Sequence, residues 1–193
     1  GVQGGSSLAP AAQRRSMSAR RRARDMLCST RFRTTLRGMH AWVIKTPWRP
    51  GADPDEAAAA FARRRLQYIR KRLRRAAGGI DWSDATQRHR VRIRAKQLRY
   101  SCECFRTDCR EHDVRPYLKR LRQLQQILGE MNDIVVQRVL LRKLARDGRL
   151  RRPVAALSAA LAARERKFTG QAAHRWRRLE STKPFWRQTR ASA

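Results

Sequence analysis

The sequence predicts an all-α fold, a bundle of long antiparallel helices. Three observations lead there. Apolar residues recur three and four apart over several long segments, no segment alternates with period two between hairpin turns, and Gly and Pro cluster between the periodic stretches. At 193 residues the chain suits one substantial domain.

Residues 1–19 are rich in Gly, Ser and Ala without apolar periodicity and read as a flexible lead-in. From Arg20 to about Ile44, Met26, Leu27, Phe32, Leu36, Met39 and Val43 recur near helical spacing, with Ser29 or Thr30 as a break or new cap. Trp42, Pro47, Trp48 and Pro50 close that segment ahead of a turn-rich connector. A helix from about Pro54 to Ala77 follows: Ala62, Leu66, Ile69, Leu73 and Ala76 fall on one face, and Gly78-Gly79 stops it.

After a short turn capped by Ser83 or Asp84, the next helix ends near Arg106. Pro116 suits the first turn of a long helix running to about Arg146, with Leu121, Leu124, Leu128, Met131, Val135 and Val139 as its core stripe. Gly148 and Pro153 end it. A last helix, from about Val154 to Leu179, carries Leu157, Leu161, Phe168 and Trp176. Phe185 and Trp186 follow, either docked on the bundle or loose, and residues 188–193 form a tail.

Charge points to the partner. There are 47 Lys and Arg against 15 Asp and Glu, a net charge of +32. A chain this cationic repels itself unless an anion neutralises it, so a phosphate-rich polymer is expected: nucleic acid, polyphosphate or an anionic membrane surface. No apolar run is long enough to span a membrane and the start lacks a signal peptide's apolar centre, so a cytoplasmic location is expected. Cys28, Cys102, Cys104 and Cys109 lack the paired C-x2-C spacing of structural zinc sites, even with His112 nearby, and read as reduced, mostly buried thiols.

The helix over residues 88–106 carries two stripes. Val91, Ala95, Leu98, Cys102 and Phe105 share an arc of about 80° at 100° per residue, the core-facing side. His89, Arg92, Lys96 and Arg99 share a second arc of about 80°. Like charges at such spacing repel, so an external anion is expected to offset the cost. Tyr100 lies off that row, on a second, partly apolar side, and is expected to pack. On the following helix Lys119 and Arg122 begin the polar face, which continues through Gln126, Asp133 and Gln137.

Catalysis is not expected. The only carboxylates near the basic faces, Glu103, Glu130 and Asp133, suit orienting or neutralising neighbouring cations, and no phosphate-binding Walker loop is present. Neither a cofactor nor a metal is implied. His40, His112 and His174 lack the cationic setting of His89 and read as incidental. Base readout calls for short recognition helices, and single-strand binding for exposed aromatic platforms. Aromatics are 7% of the chain and fall mostly at core or turn positions, so an extended anion without bases fits best.

These residues carry a resemblance. His89-x-x-Arg92-x-x-x-Lys96-x-x-Arg99-Tyr100, followed by Phe105, resembles the second signature helix of CHAD domains, the histidine-bearing α-helical domains associated with inorganic polyphosphate. Residues 118–134 are similar to that family's next helix, residues 28–43 to its Ser-x-Arg-Phe helix, and 184–186 to its ending. The resemblance spans about residues 20–187.

It implies a non-catalytic, polyphosphate-binding domain with His89, Arg92, Lys96, Arg99 and Lys119 as binding residues; helical phase adds Arg122. A whole domain of that family carries two histidine signatures, and one is found here. The chain therefore looks like a four-helix-bundle-like C-terminal half, completed by a missing N-terminal half-domain or by a homodimer. Inorganic polyphosphate is the expected partner and polyphosphate granules the expected setting. A nucleic-acid-associated basic protein is the second reading, and a phosphohydrolase acting on polyphosphate or triphosphate a third.

Overall fold

The computed structural model describes residues 5–45, 54–106, 109–146 and 150–187. Six helices account for nearly all of it: α1 (Gly5–Cys28), α2 (Thr30–Lys45), α3 (Pro54–Ala77), α4 (Ala85–Cys104), α5 (Glu111–Leu144) and α6 (Arg151–Glu180), with a terminal 3-10 turn at Phe185–Arg187. The fold is all-α, and no strand occurs among the described residues. Two compact units are present, residues 1–51 with 141–157, and residues 52–140 with 158–193.

In the first unit α1 occupies most of the stretch expected to be a flexible lead-in. Ala11, Ala12, Gln13, Arg14, Arg15 and Ala19 are strong helix formers, and propensity alone can extend a helix where no apolar period announces it. Ser29 divides α1 from α2: its Oγ donates to the Met26 carbonyl at 2.6 Å and accepts from the Phe32 N–H at 3.2 Å. The spacing of Leu36 and Met39 is helical as expected, yet α2 has no buried residue. Pro47, Trp48 and Pro50 lie outside the described residues, as do residues 188–193.

The second unit holds the main core. Leu66, Ile69 and Leu73 of α3 pack with Val91, Ala95, Leu98 and Cys102 of α4, with Val114, Tyr117, Leu121, Leu124 and Leu128 of α5, and with Trp176 and Leu179 of α6. Each fully buried Val, Leu or Ile of this set is worth about 1.5–3 kcal/mol relative to exposure. The predicted α3 and α4 stripes are thus core-facing, with Phe105 partly buried at the C-terminal cap of α4. Phe185 and Trp186 dock: both are buried, edge-on to Tyr117 at 6.0 and 5.0 Å between ring centroids.

Local chemistry sets the ends. Gly78 N–H bonds the Arg74 carbonyl at 2.8 Å and Gly79 takes φ +67°, the left-handed conformation that closes α3. Asp84 caps α4, its side chain accepting from the N–H groups of Thr86 and Gln87. Gln87 and these N–H groups hold the Asp84 carboxyl below its ordinary pKa.

Three expectations need correction. α5 starts at Glu111, before Pro116; Glu111 and Asp113 suit its positive N-terminal end, and the extra turn buries Val114. The α5 stripe leaves its expected line after Met131: Ile134 is buried whereas Val139 is exposed, because a straight helix drifts from a strict seven-residue repeat. Leu157 of α6 is likewise exposed.

Candidate polyanion-binding face

Many arginines are absorbed by the fold. Arg88 is buried at the start of α4, where Nη1 donates to the Trp82 and Ser83 carbonyls at 2.9 and 2.6 Å and Nη2 meets Glu165 Oε1 of α6 at 2.5 Å. The other Glu165 oxygen pairs with Arg138 of α5 at 2.7 Å. Arg70 of α3 and Arg120 of α5 donate to the Glu180 and Arg178 carbonyls, satisfying acceptors at the C-terminus of α6. Arg164 pairs with Glu130, and Arg74 with Glu180. Total charge therefore overstates what an external anion can reach.

α4 and α5 run antiparallel. Gln125 Nε2 donates to the Ala95 carbonyl at 2.7 Å, Arg122 Nη2 meets Glu103 Oε1 at 3.0 Å, and at the other end Arg88, His89 and Arg92 line a hollow of about 300 Å³ with Met131 and Asn132. On α4 the predicted row is present: His89 is exposed, and Arg92, Lys96 and Arg99 are half-buried. It spans about 15 Å at 1.5 Å per residue. Lys119 and Arg122 are exposed on α5, where they line a groove of about 820 Å³ with Arg106, Arg115, Gln123 and Gln126. The six predicted residues thus do not line one hollow: four of them divide between two, and Lys96 and Arg99 line neither. His89 and Arg92 open onto one hollow, Lys119 and Arg122 onto another, and Arg99 meets Arg122 through Glu103.

Sequence reasoning passed over Arg115 and Arg106. Arg115 is four residues before Lys119 and seven before Arg122, the same helical phase, so α5 carries a second row that α4's row overshadowed. Where the α4 row ends, the α5 row begins. Among the described residues, His89, Arg92, Lys96, Arg115 and Lys119 have no ion-pair partner, and the row's only salt bridges run from Arg99 and Arg122 to Glu103. Such unneutralised cations can hold a row of phosphates by charge-assisted hydrogen bonds.

Tyr100 departs from expectation. It is 54% exposed, and the Arg99 guanidinium lies over its ring, 4.6 Å from the centroid. Tyr68 likewise carries Arg65 and Arg72 over its ring at 5.8 and 5.6 Å. Cation–π contact keeps these rings half out of the core. Among the described residues no group of three or more His, Cys, Asp or Glu is placed to hold a metal ion. No described helix is long and apolar enough to cross a membrane.

A family model for the CHAD domain matches residues 2–142. The chain belongs to the CHAD domain family. The crystal structure of the CHAD domain from the plant Ricinus communis is similar at 28% identity with a TM-score of 0.81, over 94% of this chain and 62% of that one. The chain thus spans less than two thirds of the length of that plant CHAD domain. No curated protein matches it. The family match takes in α1, upstream of the stretch from residue 20 where the signature motifs begin.

Proposed function

We propose that this CHAD domain binds inorganic polyphosphate, without transforming it, along the cation rows of α4 and α5. His89, Arg92, Lys96 and Arg99 form one segment of the track; Lys119 and Arg122, joined by Arg115, form the next. The observation that carries the reading is the end-to-end meeting of two rows whose cations, among the described residues, have no ion-pair partner other than Glu103. An evenly charged, unbranched anion matches such a track, and the family's association with polyphosphate points the same way. Of the four exposed aromatic rings among the described residues, Tyr68 and Tyr100 already carry the chain's own arginines and Phe61 stands edge-on to Phe105, with Trp42 the fourth, which limits what stacking on bases could add. Cytoplasmic residence at polyphosphate granules belongs to the same reading.

The test is a titration with long-chain polyphosphate against duplex DNA at near-physiological salt. Tighter polyphosphate binding, falling steeply as salt rises, is expected. Equal or tighter binding of DNA overturns the polyphosphate preference in favour of a nucleic-acid partner. Incubation with polyphosphate and a divalent metal should release no phosphate; sustained release would replace binding by hydrolysis.

A further inference from the structure

We propose that Glu103 is an internal anion that interrupts the track, occupying Arg99 and Arg122 until a chain spanning both rows displaces it. The inference rests on the polyphosphate reading and adds a residue that opposes binding. Three observations carry it. One oxygen, Oε1, lies 3.2 Å from Arg99 Nη1 and 3.0 Å from Arg122 Nη2, so a single carboxylate sits between guanidiniums of two helices where the rows meet. Among the described residues every ion pair made by the two rows ends on this carboxylate, whereas Glu130, Glu165 and Glu180 pair with Arg164, Arg88 with Arg138, and Arg74. Finally, the paired state serves Arg99 incompletely, since its Nε is buried with no hydrogen-bond partner.

The pair can open without unfolding. Glu103 and Arg99 are about a quarter exposed along their side chains and Arg122 is half exposed, so a rotation of Glu103 frees both cations towards solvent. A phosphate then takes the position of the carboxylate, accepting from the same N–H groups, and the carboxylate turns to water. A short anion can sit on one row and leave Glu103 in place. A long chain crosses the junction and must displace it.

Glu103→Gln keeps the shape and an acceptor oxygen but removes the competing charge. Glu180→Gln removes the same charge from an ion pair with Arg74, outside the rows. Affinities of both variants and the parent chain are measured for long-chain polyphosphate and for tripolyphosphate. The expected result is a gain of about three- to fivefold for long chains in Glu103→Gln, the factor set by a partly exposed pair. Tripolyphosphate should change less, and Glu180→Gln should leave both ligands unchanged. An equal gain in Glu180→Gln would make net charge the cause and overturn the proposal. Unchanged or weaker long-chain binding in Glu103→Gln would reduce Glu103 to a tie between α4 and α5. If the parent chain prefers DNA, it is the polyphosphate reading itself that falls, a result visible before any variant is made.

Discussion

Arg88 Nη2 lies 2.5 Å from Glu165 Oε1, and the arginine side chain is 4% exposed. A buried charge of this kind is retained only because every neighbour answers it: two carbonyls, one carboxylate, and Arg138 on the carboxylate's second oxygen. Removing one partner strands the other in a dry site. Arg88→Ala is expected to lower stability by about 3–5 kcal/mol, whereas Arg74→Ala, at a largely exposed pair, should cost under about 1 kcal/mol. Urea unfolding followed by circular dichroism checks both. Similar small losses would mean that the Arg88 site is hydrated.

Arg88 also marks what the sequence made legible. Its phase, three residues before Val91 and seven before Ala95, puts it on the core stripe, so its burial was readable; its identity as a cation argued the other way. Stripes set by apolar spacing within one helix, such as Val91–Ala95–Leu98–Cys102, were legible because a helix has one period. The Glu103 junction was not, because it depends on the register of α4 against α5, which Gln125 and Arg122 fix across the interface. The first turn of α5 was hidden by Pro116, read as a start when it sits inside the helix.

Trp186 is buried after the last helix, 5.0 Å from both Tyr117 and Phe185 between ring centroids, with Nε1 reaching Gln67 Oε1 at 3.5 Å. The cluster pins the chain after α6 to α3 and α5. Trp186→Ala should cost about 3–5 kcal/mol and lower the melting temperature by roughly 10 °C, with loss of near-ultraviolet dichroism. A change of a degree or two would mean that this segment is held elsewhere.

The cysteines are not mostly buried as expected: Cys102 faces the core, Cys109 is half-buried, and Cys28 and Cys104 are exposed. Burial pushes the Cys102 thiol well above its ordinary value, with Glu103 adding to the shift, so it stays protonated where an exposed cysteine forms thiolate. At pH 8 a disulfide reagent should label Cys28 and Cys104 promptly and Cys102 only after unfolding. Prompt labelling of Cys102 in the folded protein would contradict the α4 packing.

The row itself is tested by equal charge removal in two places. Arg92, Lys96 and Arg99 share one face of α4 at the junction with α5, while Arg63, Arg74 and Arg75 are exposed on α3 and line neither hollow of the two rows. Each triple change to Gln removes three charges, so long-range attraction falls alike. Only the first removes donors placed along the track, each charge-assisted contact being worth about 1.5–3 kcal/mol before competition with water. Allowing for the Arg99 contact already given to Glu103, the α4 triple should weaken long-chain polyphosphate binding by at least about a hundredfold and the α3 triple by a few-fold. The salt dependence separates the causes further. Loss of about three phosphate contacts should flatten the slope of log affinity against log salt for the α4 variant, and much less for the α3 variant. Equal losses with equal slopes would mean that the chain binds polyanions through its overall charge and that the alignment of His89, Arg92, Lys96 and Arg99 plays no part.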